Sequence, residues 1–328
     1  MQPLNIGILG VSNHFFKRCF TPLKHSKMIH VYAIASRNEE RAREASTKWH
    51  IPKYYDSYEA LIADKNLDAV YIPLPNHMHL AYIKKCADAG KHVICEKPIT
   101  LNADEAIEAS HYADKHGIKL MEAFMYRFHP KWQRAKELVM QGEIGPVTSI
   151  HTIFSYHNTN PDNIRNVKAY GGGALYDIGC YAISTARFIM DKEPIRVMGQ
   201  AHINPTFHVD DLTSGIMDFG GPRCLFTVGT QTFPEQEVTI HGTAGTITVT
   251  IPFNDIPEIQ GKILVKTSAG ERVITFDPID QYQLEFEAFA KAIREDLPVP
   301  LSPTDSIGNM KVIDALFQSA ETSQWVTL

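Results

Sequence analysis

The sequence predicts an α/β chain of two domains: a doubly wound parallel sheet, then an α+β domain with an open, mostly antiparallel sheet. Three observations carry this. At 328 residues the chain exceeds a single core and suits two domains of about 150 residues each. From residue 4 to about 120, short β-rich runs alternate with helical periods. After Phe124 the rhythm changes to consecutive β runs joined by Gly, Pro and Asp turns.

Taken in order, the apolar run NIGILG reads as the first strand, and a helix follows it to about Lys24. HVYAIAS is the next strand, RNEERAREASTKW a charged helix, KYY a short strand and SYEALIAD a helix. DAVYIPL, HVICEK and KLMEAF are strands separated by the helical periods HMHLAYIKKCADAG and NADEAIEASHYADKHG. Strands alternating with such helices form right-handed βαβ units, so the sheet is parallel and covered on both faces, the Rossmann arrangement. This domain is placed at residues 1–123. In residues 124–328 a helix from Pro130 to Gln141 and the turn GEIGP lead into the strand VTSIHTIFSY, and a helix follows the glycine run at 171–173. IRVMGQAHI, LTSGIMDF, RCLFTVGTQTF, QEVTIHGTAGTITVTI, KILVKT and ERVITF follow with hairpin-length connections, which argues for an open antiparallel or mixed sheet. The amphipathic helices QYQLEFEAFAKAIRED and DSIGNMKVIDALFQSAE close the chain.

Composition narrows the function. Hydrophobic residues at 44% and charged residues at 21% are ordinary globular values. The net charge of −5 supplies no basic patch for a phosphate backbone, so nucleic acid is not an expected partner. No uncharged apolar stretch approaches the roughly 18 residues of a membrane span. MQPLNIGILG lacks the charged lead and apolar core of a signal peptide, so a cytoplasmic, small-molecule-directed protein is expected. Cys19, Cys86, Cys95, Cys180 and Cys224 are scattered and include no C-x-x-C pair; they read as reduced, mostly buried thiols, and no metal site is expected.

Ligands of a doubly wound sheet bind beyond the carboxyl ends of its strands. Gly10 ends the first strand there, where the helix start offers N–H groups and a positive dipole end to a pyrophosphate. The fingerprint G-x-G-x-x-G/A then asks for glycine at position 12 and glycine or alanine at 15, but the chain has Ser12 and Phe15. Ser12 and Asn13 are small and polar enough to meet a phosphate; Phe15 leaves the usual close approach of helix and strand unexplained. Ser36 and Arg37 follow the second strand, where NAD-binding sites place an acid for the ribose hydroxyls. A hydroxyl and a guanidinium suit a 2′-phosphate and favour NADP. Arg37 read alone also suits the start of a solvated helix.

Pro73 and Pro75 hold the backbone extended before Asn76, His77 and His79, so this stretch can line a cofactor; Asn76 also suits a helix cap. Glu96-Lys97-Pro98 ends an apolar strand. An unpaired Lys97 in the core is costly, so it is expected to face a cleft, with Glu96 near enough to modulate it. Lysines so placed serve as proton donors or electrostatic clamps, although a surface ion pair is the plainer reading. In GGGALYDIGCY, Asp177 and Tyr181 share a helix face if the helix begins by residue 176. Beside a lysine they form a proton-transfer set; alone they also suit packing.

Together these segments resemble the Gfo/Idh/MocA family, the glucose-fructose oxidoreductases, inositol dehydrogenases and MocA proteins. The resemblance spans essentially the whole chain and rests on IGILG, ASRNEERA, YIPLPNHMH, AGKHVICEKPIT, MEAFMYRFHP, GEIGP and GGGALYDIGCY. The pairing of AGKHVICEKP with GGGALYDIG is its most specific feature. EAFMYRFHP, and a tyrosine at 181 where inositol dehydrogenases have histidine, point to the branch of dimeric dihydrodiol dehydrogenases and NADP-dependent D-xylose dehydrogenases.

The resemblance implies that NADP, with NAD as second choice, is bound through Gly10, Ser12, Asn13, His14, Ser36, Arg37, Leu74, Asn76, His79, Glu96, Lys97 and Arg165. It further implies that Lys97 lies beside the nicotinamide, that Tyr181 is the catalytic acid/base and that Asp177 orients it or the substrate. A homodimer through the C-terminal sheet also follows from it. The expected reaction moves a hydride between nicotinamide and a hydroxyl or carbonyl carbon of a carbohydrate-like or cyclic diol substrate. Tyr181 moves the proton at that carbon's oxygen, its pKa lowered from about 10 by the charge of Lys97. The alternative is an NADP-binding sensor or structural protein of the same superfamily without turnover. The altered fingerprint suits that alternative, whereas the complete set Lys97, Asp177 and Tyr181 argues against it.

Overall fold

Strands β1 (Leu4–Leu9), β2 (Ile29–Ala35), β3 (Lys53–Tyr55), β4 (Ala69–Ile72), β5 (His92–Glu96) and β6 (Leu120–Ala123) pair in parallel in the order β3-β2-β1-β4-β5-β6. Ile6, Ile8, Val70, Tyr71 and Ile94 are fully buried, as strands covered on both faces must be. Between the strands run α1 (Phe20–His25), α2 (Glu39–Trp49), α3 (Tyr58–Ile62), α4 (His79–Asp88) and α5 (Ala103–Lys115). Short polar side chains start three of them. Asn38 accepts from Arg41 N at 3.0 Å, Ser57 from Ala60 N at 3.2 Å and Asn102 from Glu105 N at 2.9 Å, each satisfying an N–H that the helix itself leaves open. The strand order reverses direction between β1 and β4, which makes their carboxyl ends the switch point of the sheet.

The structure is a computed structural model describing residues 2–328, and it packs as two units. The first holds the sheet above, up to Phe124, together with Tyr282–Ile307; the second holds Met125–Gln281 and Gly308–Leu328. In the second unit, α6 (Pro130–Met140), β7 (Val147–His157) and α7 (Cys180–Met190) precede a long run of strands. These are β8 (Arg196–Ile203), β9 (Asp210–Asp218), β10 (Arg223–Gly229), β11 (Gln231–Gly242), β12 (Gly245–Thr250), β13 (Gly261–Thr267), β14 (Gly270–Phe276) and β15 (Val326–Thr327). They form one sheet with β7 in the order β14-β13-β12-β11-β7-β10-β9-β8-β15. Every pairing is antiparallel except β7 with β10. The stretch RCLFTVGTQTF, continuous in the sequence pattern, divides at Thr230 because β10 and β11 flank β7 on opposite sides. Two further helices are α8 (Gln281–Arg294) and α9 (Pro303–Thr322). Phe286 of α8 packs edge-on to Tyr71 in the first unit at 5.2 Å, whereas Ser319 of α9 accepts from Gly199 N of β8 at 2.9 Å in the second.

A buried ionic cluster fixes the start of α6. His129 caps the helix, its Nδ1 accepting from Lys131 N at 3.1 Å, so its Nε2 donates to Asp255 Oδ2 at 2.7 Å. Lys131, whose side chain is fully buried, donates to the same carboxylate at 2.9 Å and to the Ile251 carbonyl at 2.7 Å. Burial acts to raise the pKa of Asp255, but the hydrogen bond from His129 and the charge of Lys131 outweigh it and hold the carboxyl below its ordinary value. Removing one partner of a buried pair strands the other charge and costs about 3 kcal/mol. Lys131→Met is therefore expected to lower unfolding free energy at pH 7 by about that amount, read from the urea midpoint; an unchanged midpoint would show that the cluster contributes nothing.

Candidate active site

In the first unit the candidate residues gather at the carboxyl ends of β1, β2, β4 and β5. Gly10 has φ +100°, a conformation closed to most side chains, and a Cβ there would press on Leu74 Cδ2 at 3.3 Å. Both departures from the glycine fingerprint have a physical account. Ser12 Oγ accepts from Phe15 N at 3.0 Å and so caps the helix that begins there. Phe15 is fully buried against Phe20 at 5.9 Å and Tyr71 at 5.8 Å, and residues Phe15–Cys19 widen into one turn of π-helix. Such widened turns occur frequently at functional sites. A bulky ring at this position is accommodated in the core. Just before this turn Asn13 lies exposed and His14 half-buried.

Ser36 is buried and accepts from Asn38 N at 3.2 Å, which shapes the turn carrying Arg37. Arg37 itself is exposed, and its charge acts on Tyr58, whose hydroxyl stands 3.7 Å from the Cβ position of Gly10. Burial raises the pKa of Tyr58 and the charge of Arg37 opposes it. From α2, Arg41 Nη2 reaches the Val11 carbonyl at 3.4 Å. Two guanidinium groups therefore stand over the ends of β1 and β2, a donor set that fits the phosphates of a dinucleotide.

Leu74 is buried and Asn76 opens a single 3-10 turn, Asn76–Met78. His79 is fully buried, with Nε2 at 2.8 Å from the Leu74 carbonyl and Nδ1 at 3.0 Å from the Pro98 carbonyl. Burial lowers its pKa. Its ring ties the Leu74 turn to the Glu96-Lys97-Pro98 turn. Glu96 accepts from Tyr71 at 2.5 Å and lies 3.7 Å from His14 Nε2. Burial, with Cys19 and Glu96 close by, pushes the Tyr71 hydroxyl well above its usual range, so it stays a donor. Lys97, half-buried, precedes Pro98 through a cis peptide bond.

In the second unit the glycine run opens a helix that begins at Ala174, continues as a π-turn over Leu175–Gly179 and then becomes α7. Asp177, on the π-turn, accepts from Tyr156 of β7 at 2.6 Å and from Arg165 Nε at 2.8 Å. Burial, followed by the Asp177 charge, drives the Tyr156 pKa far upward, so this hydroxyl remains a proton-bearing donor. Asn163 accepts from Arg165 N at 3.1 Å and sets the short turn that carries Arg165. The Tyr181 side chain is only 5% exposed. Its ring meets those of Phe253 at 5.0 Å, Phe154 at 5.7 Å and Tyr126 at 5.8 Å, and its hydroxyl donates to Met125 Sδ at 3.4 Å.

Sequence reasoning missed Tyr58, Arg41 and Tyr156. Period-2 alternation along β7 puts Tyr156 on the face of the buried Ile150, Thr152 and Phe154, and that signal was available. No comparable pattern marks Tyr58 or Arg41, which are defined by where α2 and α3 begin relative to β1.

A switch-point glycine, a helix start and two guanidinium groups at the ends of β1 and β2 mark the dinucleotide-binding class of Rossmann domain. The chain belongs to the oxidoreductase family with an NAD-binding Rossmann fold, matched over residues 4–124, and residues 132–248 match the GFO/IDH/MocA C-terminal domain. D-xylose 1-dehydrogenase (NADP(+)) 2 of Haloferax volcanii is 38% identical, covering 98% of this chain and 99% of its own. Trans-1,2-dihydrobenzene-1,2-diol dehydrogenase of Xenopus tropicalis is 34% identical over 67% of this chain and 66% of its own. A 3-ketoreductase from Actinomadura kijaniata, crystallised with NADP and TDP-benzene, superposes with a TM-score of 0.91 at 25% identity, covering 97% and 98%.

Proposed function

We propose that this oxidoreductase prefers NADP and interconverts a hydroxyl and a carbonyl on a sugar-like or cyclic diol substrate. The nicotinamide ring, when bound, supplies or takes up the hydride. Tyr181 gives or removes the proton at the substrate oxygen. Its placement carries the reading: three aromatic rings fix the phenol, while the hydroxyl rests on a thioether sulfur. Sulfur is a weak acceptor and yields readily to a substrate oxygen. Asp177, held as a carboxylate by Tyr156 and Arg165, orients substrate hydroxyls. Lys97 contributes positive charge that favours the phenolate and the developing oxyanion. The xylose and dihydrodiol dehydrogenases among the relatives support a polyhydroxylated substrate.

The functional division is proposed at residues 1–123 for cofactor and 124–328 for substrate and assembly. A homodimer is proposed through the outer face of the second sheet. Ile153, Leu212 and Leu225 are each about two-fifths exposed in this sheet, and Ile153 and Leu225, with Met198 and Ile216, line a groove of about 500 Å³. Leu225→Glu is expected to convert a dimer to a monomer in light scattering; a monomeric wild type would refute the interface.

Tyr181→Phe and Lys97→Met are each expected to lower kcat by at least about a hundredfold with NADP binding largely intact, the usual scale for losing a positioned acid or base. Near-normal turnover in either variant would sink the assignment. For Arg37→Ala, loss of a guanidinium facing a dianionic 2′-phosphate is expected to weaken NADP binding at least about tenfold and leave NAD binding unchanged. Fluorescence titration of both cofactors decides this, and equal weakening of the two would reduce Arg37 to a surface residue.

A further inference from the structure

The helix carrying Asp177 and Tyr181 begins without a side chain of its own to cap it. Gly173, with φ +120°, stands where a capping residue belongs, its carbonyl accepting from Asp177 N at 3.1 Å. The missing oxygen comes from another strand. Asp210, at the start of β9 and only 3% exposed, accepts from Leu175 N at 2.7 Å through Oδ2. The same oxygen accepts from Thr213 Oγ1 at 2.6 Å. Oδ1 occupies the space that a Cβ on Gly173 would fill, so glycine is required there by the carboxylate as well as by φ. Gly173 N in turn donates to the Arg165 carbonyl at 2.9 Å. One carboxylate therefore fixes the junction from which Arg165, Asp177 and Tyr181 all hang.

We propose that Asp210 is a positioning residue whose negative charge, set against the N–H groups at this helix start, holds Asp177 and Tyr181 in working register. A helix N-terminus favours an anion, and an ionised acceptor bonds N–H groups about twice as strongly as a neutral one. The proposal rests on the assignment of Tyr181 as acid/base. Burial pushes the Asp210 carboxyl up to about 6, against the pull of its bonds from Thr213 and Leu175. The groups around it are Asp211 on its own strand, which His202 of β8 meets at 2.7 Å, and Tyr156 on β7, which joins Asp177 and Arg165.

A carboxyl whose folded pKa lies above its ordinary value binds its proton more tightly in the folded state. Ionising Asp210 therefore costs stability as pH rises from about 4 to about 6. At neutral pH the fold carries a charge that it would be more stable without, which is the pattern of a group kept for function.

Asp210→Asn keeps the shape and an acceptor oxygen and removes the charge. In the full-length protein, wild-type kcat is expected to fall on the acid side with a midpoint near 6. Thr213→Val, which removes a bond that favours the carboxylate, moves that midpoint upward. Asp210→Asn lowers kcat at pH 7.5 by about tenfold or more, loses the acid limb, and melts no lower than wild type. Parallel loss of kcat and melting temperature would show a merely structural cap, and an acid limb persisting in Asp210→Asn, or unmoved in Thr213→Val, would also overturn the proposal. If no sugar or diol turns over with wild-type protein, the substrate reading fails on its own. Amide-exchange protection of residues 174–178 then decides for Asp210. Protection that declines below pH 6 in wild type but is low and pH-independent in Asp210→Asn supports the charge; identical protection in both rejects it.

Discussion

Everything the candidate site does depends on how two helix starts satisfy their unpaired N–H groups. Each follows a glycine of positive φ, Gly10 or Gly173, and each passes through a single π-turn before becoming an α-helix. The caps differ in origin. Ser12 supplies its own oxygen locally to Phe15 N, whereas Leu175 N is met by Asp210 from a strand 35 residues further on. A local cap leaves the turn small and open to a ligand, which suits a pyrophosphate. A cap from a distant strand ties the turn into the sheet, which suits a helix whose side chains must not drift. The same physical problem is solved loosely where a ligand completes it and rigidly where chemistry is done.

Charges near these starts are consistently shared rather than isolated. Asp177 takes hydrogen bonds from a tyrosine and an arginine, Asp255 from a histidine and a lysine, and Glu96 from Tyr71. Hydrogen bonds from several donors favour the ionised form of a buried carboxylate, and Asp255 is held below its ordinary value in this way. Glu285 of α8 shows the opposite outcome. It is 1% exposed, and burial, followed by the Glu96 charge, pushes its pKa well above the ordinary carboxyl value.

Much of this was legible in the chain. Alternating β and helical periods give the parallel sheet, because period and segment length report local geometry directly. The end-of-strand positions of Gly10, Arg37 and Glu96-Lys97 follow from the same reading. What could not be read depends on partners distant in sequence. The apolar face of α8 does not reveal which sheet it covers, yet from Tyr282 onward it packs with the first unit, where its Tyr282 ring meets His14 at 5.7 Å. Phe15 looked like a defect because the fingerprint is written for tight helix–strand contact; a widened turn and the rings of Phe20 and Tyr71 remove that constraint. The prolines before His79 mark a stretch able to line a cofactor, but the bracing of two loops by its buried ring depends on the Leu74 and Pro98 carbonyls and could not be read locally.

The loop after β12 shows where this fold spends stability. Ile251 has φ +46°, an unfavourable conformation for a β-branched residue. It persists because its surroundings over-determine it. Lys131 holds the Ile251 carbonyl, Trp132 Nε1 holds that of Pro252 at 2.7 Å, and Gln281 holds that of Phe253 at 2.7 Å. Gln236 accepts from the N–H groups of Phe253 and Asn254 at 3.1 and 3.0 Å. With its backbone so fixed, Phe253 can only point inward, where it stacks on Phe154 at 4.9 Å and closes the box around Tyr181. A relaxed loop would need fewer buried polar groups, but it would leave the phenol free to choose among rotamers. The buried lysine, the strained isoleucine and the aromatic wall are thus parts of one arrangement, and its product is a tyrosine hydroxyl held at a single position.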